Sequence, residues 1–78
     1  MRLVIIDEEN NKMQVGIDGV FYAGLDGTSL ASDIHAVQWN GESGEVEYQD
    51  PATGKMTNNE DITDITPFQF AIDAWNAA

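Results

Sequence analysis

The sequence contains no cysteine. That excludes a disulfide staple and a thiolate metal site, two of the usual supports of a small domain. Basic residues are almost as scarce: Arg2, Lys12 and Lys55 stand against 14 Asp and Glu, for a formal net charge of -11. A surface of that sign opposes direct binding to nucleic-acid phosphates and to anionic lipid. Long apolar runs are missing too. Leu3-Val4-Ile5-Ile6 is closed at once by Asp7-Glu8-Glu9, too short for a signal-peptide core and far short of the roughly 18 to 20 residues of a membrane span. Neither a membrane span nor a lipid anchor is expected, and the lack of cysteine fits the cytoplasm.

The groups that usually carry catalysis are also few. There is one histidine, His35, and an activated serine needs an oriented base beside it. Ser43 lies in Gly41-Glu42-Ser43-Gly44, which lacks the Gly-x-Ser-x-Gly spacing and reads as a hairpin turn. His35 falls on the same predicted strand face as Val37 and Trp39, the setting of a partly buried structural histidine. Carboxylate pairs such as Glu45 with Glu47, or Glu60 with Asp61, read as solvated residues without a cleft. Asp7, Glu9 and Asn11 fit the first positions of a calcium loop, but Lys12 occupies the position that requires glycine and Asp18 stands where a bidentate Glu belongs. Asn58, Asn59, Glu60, Asp61 and Asp64 offer oxygen ligands without a recognised spacing. The expectation is a protein that is not an enzyme and has no cofactor and no metal.

What is present is a foldable pattern. The acids are dispersed and 42% of the residues are hydrophobic, unlike a disordered acidic tail. With 78 residues there is room for one domain, residues 1–78, and one core. Arg2–Asp7 is a β-branched run read as a central strand covered on both faces. Met13, Val15 and Ile17 alternate with polar residues, so the two segments form a hairpin. Asp18-Gly19 marks a turn into a third strand, Val20–Ala23. Ile34–Trp39 and Glu45–Gln49 form a second hairpin. Asp50–Lys55 is turn chemistry, and Thr57–Asp61 reads as polar loop.

The C-terminal element has the strongest local signals. Thr66, Pro67 and Gln69 predict an N-cap, a first-position proline and a capping box, with Ile65 and Phe70 placed as a hydrophobic staple. Phe68, Ile72 and Trp75, with Ala71, make one apolar helical stripe. The fold class is therefore α+β: a small curled antiparallel sheet or SH3-like barrel of about five short strands with one C-terminal helix.

Seven aromatic rings, at Phe21, Tyr22, Trp39, Tyr48, Phe68, Phe70 and Trp75, exceed what a small closed core readily hides. Tyr22, Phe70 and Trp75 are the candidate interface residues, since aromatics concentrate at interface cores. Ile34–Trp39, Gly44–Tyr48 and Ile65–Gln69 together resemble small uncharacterised proteins of tailed bacteriophages, marine ones especially. The resemblance covers about the last 45 residues and carries no catalytic or cofactor motif. It implies a phage or phage-like origin and a host-cell cytoplasmic or virion setting.

The functional expectation is a non-enzymatic interaction or structural module, a phage accessory or virion-associated protein, that forms a homo-oligomer or meets a protein partner through sheet edges or an aromatic patch. The alternative is an acidic inhibitor that mimics nucleic acid against a host DNA-handling enzyme. Alternating acids such as Glu45 and Glu47 sit roughly 6.6 to 6.8 Å apart along a strand, close to phosphate spacing.

Overall fold

Asp18 and Gly19 both take positive φ, 49° and 88°, as a two-residue type I′ hairpin turn requires, and the chain reverses there as its Asp-Gly pair predicts. The structure, a computed structural model, describes all of Met1–Ala78. Six strands precede the helix: β1 Leu3–Asp7, β2 Lys12–Ile17, β3 Val20–Asp26, β4 Ile34–Trp39, β5 Gly44–Gln49 and β6 Met56–Ile62. They form one antiparallel sheet in the order β3-β2-β1-β4-β5-β6. The expected α+β architecture is the one observed. It takes the form of a curled sheet with two free edges, β3 and β6, rather than a closed SH3-like barrel, and it has one strand more than expected.

The extra strand is β6, whose Thr57–Asp61 stretch reads as loop. Its sequence, Met-Thr-Asn-Asn-Glu-Asp-Ile, has no apolar alternation because an edge strand needs only backbone partners on one side. Glu45 pairs Asp61, Val46 pairs Glu60 and Glu47 pairs Asn59. Polar and charged side chains on an edge also discourage further pairing.

β1 lies in the middle of the sheet, as its sequence predicts, between β2 and β4. Leu3 and Ile5 are fully buried, as are Met13 and Val15 of β2, Val37 of β4 and Val46 of β5. Each such side chain contributes about 1.5 to 3 kcal/mol by leaving water. Val4 and Ile6 on the other face are only half-buried. No second layer covers them; the expectation of burial on both faces holds for one face alone. Leu30, from the connection between β3 and β4, joins the buried cluster.

The C-terminal element begins as a 3-10 turn, Thr66–Phe68, and continues as helix α1, Gln69–Ala77. The expected capping box does not form. Thr66 gives both its N–H and its hydroxyl to Asp64 Oδ1, and Gln69 Nε2 donates forward to Asp73 Oδ1 at 3.0 Å. A carboxylate two residues upstream is a stronger acceptor than the side chains of a neutral box. Phe68 and Ala71 are buried, with Phe70, Ile72, Ala74 and Trp75 half-buried against the core. The helix packs on β2 and β3. No helix is long and apolar enough to cross a membrane.

Candidate functional site

The pleat sorts the sheet into two faces, and the register defines what the uncovered face carries. Phe21 pairs Gly16, Gly16 pairs Val4, Val4 pairs Gln38, Gln38 pairs Glu45 and Glu45 pairs Asp61. Opposed residues share a face, so this row crosses all six strands on the side away from the helix. It begins with an aromatic ring and ends with two carboxylates. The next row runs through Gln14, Ile6, Ala36, Glu47 and Asn59, apolar on β1 and β4 and carrying its one carboxylate on β5. Glu47 Oε2 accepts from Gln38 Nε2 at 2.6 Å and Glu45 Oε1 from Asn59 Nδ2 at 2.8 Å. Glu45, Glu47 and Asp61 thus form an ordered group on one face, with amides neutralising none of their charge.

At the other margin lies β3, and here the chain carries no charge from Gly19 to Leu25. Val20 is 50% exposed, Phe21 47% and Tyr22 39%. Large apolar side chains at that exposure on a free edge are unusual, because edge strands normally bear charge, proline or a covering element. Two devices limit the open stretch. A bulge follows Tyr22 in the β2–β3 register, and beyond it Gly24 N–H donates to Glu8 Oε1 at 2.7 Å. The edge open to another strand is therefore Val20–Ala23.

Of the predicted interface residues, the structure brings two together. Tyr22 and Trp75 have ring centroids 5.6 Å apart at 59°, and Trp75 Nε1 donates to the Val20 carbonyl at 2.9 Å. The helix is thereby fastened to the edge strand beside its exposed residues. Phe70 lies elsewhere, 6.3 Å from Phe68 and half-buried against the core. Phe21, a more exposed ring than Tyr22, is not among the predicted three. Its signal was present in the sequence: an Asp-Gly turn sets Phe21 opposite Gly16, and a side chain on Gly16 would overlap the Phe21 ring.

The residues weighed for chemistry are dispersed. Ser43 closes the β4–β5 turn, with its N–H donating to Asn40 Oδ1 at 3.0 Å, while His35 sits at the far end of β4. A bulge between Ile34 and Ala36 removes His35 from the strict alternation with Val37 and Trp39, and it is half-buried. The Asn58–Asp61 oxygens fall within β6 and alternate between faces: Glu60 accepts from the Tyr48 hydroxyl at 2.9 Å, while Asn59 and Asp61 share the uncovered face. No group of three or more His, Asp or Glu is placed to hold a metal ion.

Two carboxylates and one phenol depart from their ordinary titration. The backbone N–H and then the hydroxyl of Thr28 hold the Asp26 carboxyl below its usual range. The hydroxyl and then the N–H of Thr66 do the same for Asp64. The hydrogen bond to Glu60, with burial, raises Tyr48. An open depression of about 470 Å³ lies between the β1–β2 loop and the β5–β6 turn, lined by residues that include Asn10, Leu30 and Pro51. A second, of about 340 Å³, lies between Arg2, Trp39 and Asp61. Both are open at the surface and mostly polar.

No protein-family model matches the chain, and neither a curated protein nor a solved structure matches it.

Proposed function

We propose that the protein is a non-enzymatic interaction module whose working surface is the β3 edge, with Tyr22 and Trp75 beside it, and that it engages protein by adding a strand there. The observation that supports this most is the uncharged, half-exposed stretch Val20–Tyr22 on a free edge in a chain of net charge -11. Main-chain hydrogen bonds at such an edge supply affinity, and side chains on alternate faces supply specificity. A phage accessory or virion-associated role is the setting that the sequence resemblance implies for such a module.

A second reading has an observation of its own. Glu45, Glu47 and Asp61 share one face, as a decoy for the phosphate-binding groove of a DNA-handling protein would need. The two readings use opposite margins of the sheet and respond oppositely to salt, since screening weakens charge contacts while apolar ones hold or tighten.

Hydrogen–deuterium exchange read by segment distinguishes them, with the protein dilute, concentrated, and in cell extract. The edge reading expects slowed exchange over residues 20–23 in the concentrated protein or in extract, retained at high salt. Protection of residues 44–47 and 59–61 that disappears with salt would favour the decoy. If residues 20–23 exchange alike in every condition, the edge reading is wrong.

A further inference from the structure

The hydrogen-bonding geometry of β3 points to its partner. A two-residue turn at Asp18-Gly19 closes with Ile17 and Val20 as a hydrogen-bonded pair. Antiparallel pairs alternate, so Gly16 and Phe21 form the next, non-hydrogen-bonded pair, with side chains at their closest. The Phe21 ring lying over Gly16 agrees with this. It follows that the N–H and C=O of Phe21 point away from β2, towards the open edge.

Resting on the β3-edge reading above, we infer that the strand taken up is β3 of a second copy of this chain, antiparallel, with Phe21 on the two-fold axis. In that register Phe21 exchanges both main-chain hydrogen bonds with Phe21 of the second copy on the uncovered face. On the helix side Val20 opposes Tyr22 of the second copy, and Tyr22 opposes its Val20. Aromatic with β-branched residues is a favourable cross-strand pair.

Other registers are worse. A shift of one residue would set side chains of one face against those of the other, which the pleat forbids. Centring on Tyr22 would place Val20 against Gly24, whose N–H is already taken by Glu8. Centring on Val20 would bring Asp18 against Tyr22. The Phe21 register alone uses the whole open stretch and nothing beyond Ala23.

Charge favours the same arrangement. Two chains of net charge -11 meet most easily where neither is charged, and Gly19–Leu25 is such a stretch, with the carboxylates of Asp18 and of Glu8, which holds Gly24 N–H, just outside the paired residues. The continuous sheet would run from one β6 to the other, with the two β5 strands nine spacings apart, about 43 Å at roughly 4.8 Å per strand. That is several times the Debye length of about 8 Å at physiological salt. A contact of about four residues per copy buries less than the roughly 1,200 Å² of a standard interface, so the dimer is weak and belongs to the range of about 10 μM to 1 mM.

The test uses the 78-residue chain, which has no cysteine. Light scattering over that concentration range should show the mass rising from 8.6 kDa towards twice that value, at low and high salt alike. Phe21→Cys, at an exposed position, should crosslink to a covalent dimer on mild oxidation, because hydrogen-bonded partners lie about 5.5 Å apart between Cα atoms. Met56→Cys on the opposite edge should not. In the unsubstituted protein, the Phe21 amide should exchange at least tenfold more slowly at 1 mM than at 10 μM. A mass that stays monomeric, or a dimer that crosslinks through Met56→Cys and leaves the Phe21 amide fast, would overturn the inference. Protection of residues 20–23 in extract by a strand of another protein, with the purified chain monomeric, would remove the inference and leave the edge reading standing.

Discussion

Two glycines illustrate how closely single residues are fitted. A methyl group on Gly16 would meet the Phe21 ring first, a half-exposed side chain that can swing aside. On Gly44 it would overlap the Gln38 carbonyl and lie 2.9 Å from Trp39 Cα, so backbone has to move. Overpacking costs about 1 to 3 kcal/mol. Gly16→Ala should fall at the low end, about 1 kcal/mol, and Gly44→Ala at about 3 kcal/mol, as measured by urea unfolding. Equal effects would mean that the Phe21 ring is held more firmly than its exposure suggests. Tyr48 gives a pH prediction. Its folded pKa is raised, so the stability it contributes is fully present below its unfolded value of about 10 and is lost as pH rises through the folded value. Thermal melts should decline above pH 10, and Tyr48→Phe should flatten that limb.

At the scale of elements, what the sequence revealed depended on whether a signal was local. The Asp18-Gly19 turn and the apolar alternation of β2 and β4 are visible because turn chemistry and the pleat act on neighbouring residues. β6 is not, since its polar residues are held by pairing with β5 and carry no alternation of their own. The capping box failed to form for a related reason: Thr66 has the right identity, but Asp64 accepts the Thr66 N–H that Gln69 would have taken and turns the hydroxyl towards itself. The same contrast governs the candidate surface. Tyr22 and Trp75 stood out as excess aromatics, yet their contact spans 53 positions, and Phe70 shares their chemistry without sharing their place. Helix α1 should depend on that contact. Trp75→Phe removes the donor to the Val20 carbonyl and should cost about 1 kcal/mol, while Trp75→Ala also empties the packing against Tyr22 and should cost about 3 kcal/mol. Denaturant unfolding with near-ultraviolet circular dichroism checks both. A negligible effect of Trp75→Ala would show that Phe68 and Ala71 hold the helix by themselves.

For the whole molecule, a charge of -11 on 78 residues opposes compaction through self-repulsion. Salt relieves it by screening. Each 1 kcal/mol of relief raises the melting midpoint of a domain this size by about 4 to 8 °C, so the midpoint should rise by about 5 °C or more between 10 mM and 500 mM sodium chloride. Calorimetry decides the point, and a flat response would mean that the dispersed carboxylates lie too far apart to repel in the folded state.

The row from Phe21 to Asp61 has a consequence for how the uncovered face meets other surfaces. Because its apolar and acidic halves lie side by side across the strands, that face carries a lateral polarity. A positively charged resin or nanoparticle would draw the β5–β6 half of the face down and leave β3 turned outward. Adsorption in that pose would present the aromatic edge to solvent, so the protein could be displayed on a surface with its pairing strand free and without a tag to orient it.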